Sequence, residues 1–234
     1  GFAHNGHKFD GSQQTVATVS GRRFHYDHLV IATGARASRP GLPGEDLAGV
    51  HSFRDLKDTQ RLIDLSRRYQ RAVVIGGGFL GLEAAEGLRA RGMTVSVVHR
   101  NPGLLNRQLD TTGSELLAAR LRQRGLDIRT GCSPTALLGK HRVRAVQLDD
   151  GNLLATDLVV LATSITPNTD LARQADLPCD RGILVDDRLQ TGDDRIHALG
   201  ECCQVGDRTF GLVEPGYQQA EVLAEALCRP DSLQ

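Results

Sequence analysis

The sequence predicts an α/β fold built on a parallel sheet. Strand-like apolar segments alternate along the chain with segments of helical spacing, the order that parallel strands joined by helices require. An uninterrupted apolar run at residues 158–162 is typical of a strand that is buried on both faces. A glycine-rich turn at residues 76–81 separates another such strand from a helix. These three observations favour a sheet whose strand ends carry a binding site.

Composition excludes several classes of protein. The chain has 234 residues, of which 40% are hydrophobic and 24% are charged, as expected for one large or two small globular domains. Lys and Arg number 28 and so do Asp and Glu, giving a formal net charge of zero. A chain without a basic field is not expected to bind nucleic acid or a membrane surface. Its apolar runs are far shorter than the roughly 20 residues that span a bilayer.

The five cysteines are scattered, and none has the spacing of a zinc site or a redox-active dithiol. We therefore expect buried thiols in a reducing cytoplasm and no metal site. The adjacent pair Cys202 and Cys203 leaves a vicinal disulfide or a pair of iron–sulfur ligands as alternatives, although too few partners lie nearby for a cluster.

The first third of the chain predicts a hairpin, a buried strand and a helix. Residues 12–19 and 22–26 are rich in β-formers and flank a Ser-Gly turn. Residues 26–34 contain a four-residue apolar run and end in small residues, as a buried parallel strand does. A connector rich in Pro and Gly follows at 34–49. A helix is then expected from Asp58, whose carboxylate can cap it, to about residue 69.

The remaining elements follow from periodicity and from glycines at helix ends. Helices are predicted at 82–91, 112–124 and 215–227. Strands are predicted at 73–75, 94–98, 127–131, 135–139, 142–148, 158–162, 182–185 and 196–199.

The turn GGGFLG at residues 76–81 is the strongest functional signal, because it lies between a strand and a helix within a βαβ unit. Gly76 permits a tight turn, Gly78 lets the backbone approach a pyrophosphate, and Gly81 lets the helix pack closely. Phe79 and Leu80 complete the turn and are candidate contacts. The helix N-terminus offers N–H groups and a partial positive charge to phosphates. The sequence therefore predicts a dinucleotide site here, the alternative being a glycine turn without a ligand.

The end of the second strand bears on the choice between NAD and NADP. An acidic residue about 20 positions after the glycines normally accepts the ribose 2′-OH. Here the strand ends in His99 and Arg100, with no acid. Arg100, together with His99, can instead meet a 2′-phosphate, which would favour NADPH. The alternative is that both are solvated strand-end residues and that the ribose is held elsewhere.

Three further segments give the sequence a resemblance to a known family. They read YDHLVIATG at 26–34, ATSITPN at 162–168 and TGDDRIHALGE at 191–201. With the glycine turn, they resemble the FAD-dependent pyridine nucleotide oxidoreductase superfamily, whose members have two dinucleotide-binding domains. The resemblance implies a Rossmann-like NAD(P)-binding domain at 39–170, made of a parallel sheet plus a β-meander. That domain would be inserted in a partial FAD-binding domain formed by residues 1–38 and 171–234.

The resemblance also implies roles for individual residues. The implied cofactor contacts outside the glycine turn are Thr33, Gly34, Thr163, Ser164, Gly200 and Glu201. Glu201 stands where the family usually has Asp, and Ser164 where it usually has Gly. Glu83 is similar to an acid that lies near the nicotinamide, the alternative being a first-turn carboxylate stabilised by the helix dipole. No residue is assigned a catalytic acid–base role, because the flavin carries the chemistry.

Within the superfamily, the chain is most similar to the flavoprotein part of assimilatory NAD(P)H nitrite reductase large subunits, at residues 97–99, 107–110, 198–202 and 211–220. This resemblance implies hydride transfer from NAD(P)H to FAD and electron transfer onward. The acceptor would be a siroheme and iron–sulfur reductase domain or a small redox protein. We expect a cytoplasmic enzyme, and the resemblance leaves open whether it forms a homodimer. A ferredoxin or rubredoxin reductase-like flavoprotein is the alternative.

One feature of that superfamily has no counterpart here. Nothing before Tyr26 resembles the first glycine motif that grips the FAD pyrophosphate, and the siroheme cysteine clusters are absent as well. We therefore expect a fragment that binds FAD poorly. A non-catalytic NAD(P)-binding module is the corresponding alternative function.

Overall fold

A computed structural model describes residues 14–228 in full and the backbone course of residues 6–10. The chain divides into two compact units. The central unit is Ala37–Ser164, and the flanking unit combines Gly1–Arg36 with Ile165–Gln234. The division rests on contacts within the chain, which do not show what each unit binds. The assignment of the units to an NAD(P) domain and an FAD domain therefore stays a prediction.

The strands run through both units. In chain order they are β1 (Gly6–Asp10), β2 (Thr15–Thr18), β3 (Arg23–His25), β4 (Leu29–Ile31), β5 (Ala35–Ala37), β6 (Val50–Ser52), β7 (Arg71–Ile75), β8 (Thr94–His99), β9 (Asp127–Thr130), β10 (Pro134–Leu138), β11 (Ala145–Leu148), β12 (Leu153–Ala155), β13 (Leu158–Leu161), β14 (Ile165–Pro167), β15 (Ile183–Val185), β16 (Ile196–Ala198), β17 (Cys203–Val205) and β18 (Arg208–Thr209).

The helices are fewer and mostly longer. They are α1 (Leu56–Ser66), α2 (Phe79–Ala90), α3 (Thr111–Gln123), α4 (Asp170–Arg173) and α5 (Val213–Cys228), with a 3₁₀ turn at Gly200–Cys202. Among the residues described, no helix combines the length and apolar character needed to cross a bilayer.

The central unit is built on a five-stranded sheet in the order β6-β13-β7-β8-β9. Every neighbouring pair in it is parallel. Helix α2 joins β7 to β8 and α3 joins β8 to β9, as parallel neighbours require. The predicted α/β fold with a parallel sheet is confirmed.

The two faces of this sheet bury different partners because side chains alternate along each strand. Val74 and Val97 pack with Ala84 and Leu88 of α2 on one face. On the other face, Val73 packs against apolar residues of the antiparallel meander β10-β11-β12. These valines are at most 1% exposed, and burying each contributes about 1.5–3 kcal/mol. Strand β7, which ends at the glycine turn, is therefore packed on both faces.

The flanking unit has its own core. Strands β2 and β3 form the predicted hairpin, and β1 adds a third strand. Strand β4 pairs in parallel with β16, although most of the chain separates them. Ile31 and Ile196 pack with Leu223 of α5 in this core. The β4–β16 pairing aligns the two strand ends that carry the sequence-predicted FAD residues.

Two predicted helix starts were wrong. Helix α1 begins after Asp55, whose Oδ1 accepts the Asp58 N–H at 2.8 Å, so Asp58 is not the N-cap. The Asp58 carboxylate instead accepts the N–H of Asp55 at 3.4 Å, completing a reciprocal capping box. Helix α2 begins at Phe79, three residues before the predicted start at residue 82. The sequence prediction also missed β6, which directly follows the Pro- and Gly-rich connector.

Candidate functional site

Two of the three fingerprint glycines are required by packing. Gly76 has a φ of +128°, and a Cβ atom there would lie 2.2 Å from the Ala162 carbonyl oxygen. A Cβ atom at Gly81 would lie 2.0 Å from the Gly76 carbonyl oxygen. No side chain fits at these distances. The roles predicted for Gly76 in the turn and for Gly81 in close helix packing agree with this geometry.

The third fingerprint glycine, Gly78, faces open space. A Cβ atom built there meets no atom within 4 Å, and its φ is −87°. Gly78 is also the N-cap of α2, and within the described chain no side chain caps this end. The first N–H groups of the helix, beginning at Phe79 and Leu80, are therefore left for a ligand. Such an end attracts phosphate through its N–H groups and its dipole.

The exposed residues Thr163 and Ser164 follow the buried strand β13. The Thr163 nitrogen lies 3.2 Å from the Cβ position of Gly76, so this segment borders the glycine turn. The Ser164 carbonyl accepts the N–H of Ser38 at 3.0 Å. Both predicted contacts thus lie at the carboxyl edge of the sheet, where open α/β sheets bind ligands.

His99 lies against the glycine turn. The Gly77 N–H donates to His99 Nδ1 at 3.1 Å, and His99 Nε2 lies 3.3 Å from the Asn106 carboxamide oxygen. Burial and the nearby Arg100 charge hold the pKa of His99 below its usual value, against the raising effect of Asn106. The neutral ring therefore accepts at Nδ1 and donates at Nε2. Both nitrogens that a ribose phosphate would use are engaged within the unit, whereas Arg100 is exposed.

Glu83 is exposed on α2. Since the helix begins at Phe79, Glu83 lies beyond its first turn, which contains no acidic residue. The interpretation of Glu83 as a first-turn carboxylate stabilised by the helix dipole is therefore wrong. Its predicted position near a nicotinamide stays a prediction.

The flanking unit brings together residues that are far apart in sequence. Because Ile31 pairs with Ala198, the segments after β4 and β16 leave the sheet side by side. The first contains Gly34 and the second Glu201, whose Oε2 lies 3.8 Å from a Cβ atom built at Gly34. Gly34 and Gly200 have φ values of +64° and +79°. Two tight turns and a carboxylate thus meet at the carboxyl ends of two parallel strands, the edge at which open α/β sheets bind ligands.

The sequence did not indicate the hydrogen bonds by which Asn168 and Gln219 fix these turns. Thr33 Oγ1 donates to the Asn168 carbonyl at 2.7 Å, and Asn168 Nδ2 donates to the Thr33 carbonyl at 2.9 Å. Gln219 Oε1 accepts the Gly200 N–H at 2.7 Å from a buried position on α5. A polar residue one helical turn before the buried Leu223 was the available signal for Gln219.

The cysteines form no redox pair. All five are free, and the buried Cys202 and Cys203 thiols donate to backbone carbonyls. Burial raises the pKa of Cys203 to about 12, so this thiol stays protonated and unreactive. The vicinal disulfide left open from the sequence is absent. Within the described residues, no three His, Cys, Asp or Glu side chains are grouped to hold a metal ion.

A glycine turn at a helix N-terminus in one unit and a glycine–carboxylate pair at strand ends in the other define a class of protein with two dinucleotide-binding domains. Residues 2–222 match the family of pyridine nucleotide-disulphide oxidoreductases. The chain therefore belongs to this family.

Curated relatives refine the comparison. A nitrite reductase [NAD(P)H] of Bacillus subtilis is 43% identical over 94% of this chain. The assimilatory nitrate reductase electron transfer subunit of the same organism is 39% identical over 94% of it. The chain spans 28% and 29% of the length of these two relatives. The predicted similarity to nitrite reductases is confirmed.

Solved structures show the same fold. The ferredoxin reductase for the CYP199A2 system of Rhodopseudomonas palustris superposes with a TM-score of 0.92 at 32% identity, covering 97% of this chain and 58% of that one. Putidaredoxin reductase, in its covalent complex with putidaredoxin, gives a TM-score of 0.85 at 30% identity, covering 94% and 56%. The predicted fold type, two dinucleotide-binding domains as in flavoprotein reductases, is confirmed.

Proposed function

We propose that this chain is part of an FAD-dependent NAD(P)H oxidoreductase that passes hydride from NAD(P)H to FAD and electrons onward. The observation that carries the proposal is the open Gly78 position at the bare N-terminus of α2, beside two glycines that packing requires. The space at Gly78 is what the close approach of a dinucleotide pyrophosphate to the backbone needs.

The chain's own groups bind and orient, while the bound nicotinamide and flavin supply the redox chemistry. The N–H groups after Gly78 hold the pyrophosphate of NAD(P)H. Thr163 and Ser164 border that site. In the flanking unit, Glu201 accepts hydrogen bonds from a ribityl chain. Thr33, Gly34 and Gly200 shape the turns beside it. No side chain is needed as a general acid or base.

Within this proposal, the electron acceptor is a siroheme and iron–sulfur reductase domain of a nitrite reductase. The 43% identity to a nitrite reductase [NAD(P)H] supports this choice. A small redox protein is the alternative acceptor, supported by the likeness to a reductase solved with putidaredoxin. The free, mostly buried thiols favour a reducing cytoplasm as the location. We include a possible homodimer in the proposal because of the family resemblance.

The test uses the purified chain incubated with FAD, desalted and examined by absorbance. Because this chain is expected to bind FAD poorly, only a fraction of the protein should retain flavin, and the flavin bands that remain should bleach when NADH is added anaerobically. A chain that retains flavin but shows no bleaching with NADH or NADPH would contradict the proposal.

A second candidate function is a non-catalytic NAD(P)-binding module. It is favoured by the central unit, which has its own sheet, its own core and the complete glycine turn. In the same experiment, this function predicts colourless protein that still binds NADH.

Cofactor choice gives a separate prediction. If Arg100 pairs with a 2′-phosphate, Arg100→Ala should weaken NADPH binding about ten- to a hundredfold and leave NADH binding nearly unchanged. A charge-assisted hydrogen bond of this kind contributes about 1.5–3 kcal/mol. Calorimetric titration with each nucleotide measures the effect.

Arg107→Ala is the matched control, because it removes an exposed cation from the same loop. Equal losses for both nucleotides in Arg100→Ala would mean that the arginine is structural. NADH would then be the preferred donor.

A further inference from the structure

The middle glycine of the turn, Gly77, is held on three sides by the last residue of β8 and the segment that follows it. The Gly77 N–H donates to His99 Nδ1 at 3.1 Å. The Gly77 carbonyl accepts the Leu105 N–H at 3.0 Å. A Cβ atom at Gly77 would lie 2.7 Å from both the His99 ring and the Leu104 side chain. We call this arrangement the Gly77 clamp.

The clamp depends on the imidazole as an acceptor. Nδ1 can accept the Gly77 N–H only while it carries no proton, and Nε2 then bears the proton directed at Asn106. In a protonated ring, the Nδ1–H group would point at the Gly77 N–H group. Two donors would then face each other, and the partly buried Gly77 N–H would have no acceptor. The geometry of the phosphate-binding turn is thereby tied to the protonation of one side chain.

The surroundings of His99 favour the neutral ring. Burial is the largest cause of its lowered pKa, and the positive charge of Arg100 acts in the same direction. The Asn106 amide opposes them but carries no charge. After the neighbouring strand β9, the Cys132 N–H donates to the His99 carbonyl. Burial raises the pKa of the Cys132 thiol, so this thiol adds no charge beside His99.

We propose that His99 is a positioning residue that holds the glycine turn in its nucleotide-binding shape, so that protonation of its imidazole weakens dinucleotide binding. This proposal rests on the proposed NAD(P)H site and goes beyond it. It assigns His99 to the protein side of the turn rather than to the nucleotide. The opposite role makes the opposite prediction, because an imidazolium that contacted phosphate would strengthen binding at low pH.

The test is the affinity for NAD⁺ as a function of pH, measured by calorimetry. NAD⁺ is stable in acid, and its pyrophosphate does not titrate near neutrality. We expect the affinity of the unmodified chain to fall about three- to tenfold from about pH 7.5 to about pH 5, the range in which histidine titrates.

His99→Asn and His99→Leu are a matched pair of nearly equal shape. The Asn Oδ1 is bonded to Cγ as the imidazole Nδ1 is, so Asn keeps an acceptor that cannot titrate, and Leu has none. We expect Asn to bind NAD⁺ within about twofold of the unmodified chain at pH 7.5, with a flat pH profile. Leu should bind about three- to tenfold more weakly across the range. His51 and His141 remain in both variants and serve as internal controls.

Affinity of the unmodified chain that rises or stays constant as the pH falls would overturn the proposal. So would a pH profile of His99→Asn that matches the unmodified chain. If His99→Leu does not fold, these two profiles still decide the question. Absence of NAD⁺ binding at every pH would overturn the proposed function itself, a result distinct from pH-independent binding.

Discussion

Gly78→Val should abolish NAD(P)H binding while the protein stays folded. The position has an extended backbone with a φ of −87°, and nothing lies within 4 Å of its Cβ site, so the chain accommodates valine. The same side chain would occupy the space through which a pyrophosphate reaches the first N–H groups of α2. Loss of charge-assisted contacts there should cost more than about 2 kcal/mol, or roughly 30-fold in affinity. Calorimetric titration with NADH measures the loss.

The control for this substitution is thermal unfolding of both proteins. Gly78→Val should unfold within a few degrees of the unmodified chain, since it removes no contact and no side-chain capping hydrogen bond. Unchanged affinity for NADH in the folded variant would contradict the assignment of the glycine turn as the nucleotide site.

Gly76→Ala, in contrast to Gly78→Val, should strongly lower the stability of the fold. Its φ of +128° is a conformation that alanine adopts only under strain, and the new Cβ would lie 2.2 Å from the Ala162 carbonyl oxygen. Backbone strain and overpacking should each contribute about 1–3 kcal/mol, a total of roughly 3 kcal/mol or more. Urea denaturation measures the change in free energy of unfolding.

Gly78→Ala is the matched control two positions away. It meets open space and an unstrained backbone, so the free energy of unfolding should change by less than about 1 kcal/mol. Equal stability of the Gly76 and Gly78 variants would show that the turn relaxes more easily than its close contacts indicate.

Local signals in the sequence predicted four of the five strands of the central sheet. The apolar runs at β7, β8 and β13 predict buried parallel strands, and the glycine spacing predicts the turn between β7 and α2. Element ends were less accurate, because Asp55 and Asp58 are both competent caps and only the capping box decides between them. Strand β6 was missed because its three residues, Val-His-Ser, form no apolar run and directly follow the connector rich in Pro and Gly.

The environment of the candidate site could not be derived in the same way. That His99 faces the glycine turn depends on how the loop after β8 folds back, which includes Leu105 at a φ of +49°. Gly34 and Glu201 meet only through the pairing of β4 with β16, for which the sequence offered a family resemblance rather than a periodicity. Asn168 and Gln219 act through hydrogen bonds to backbone groups, and the sequence does not indicate which backbone group each side chain meets.

The place of β13 in the central sheet has a consequence for the order in which the protein is made. Val159 pairs with Val50 on one side and with Val73 on the other, and within the described chain β6 has no other neighbour in the sheet. As the chain leaves the ribosome, β7, β8 and β9 can pair as they emerge, but β6 waits for a strand synthesised about a hundred residues later. Until then, the apolar edge of β7 stays open to other chains. Translation through β13 is therefore the step that closes the open edge of β7 and completes the central sheet.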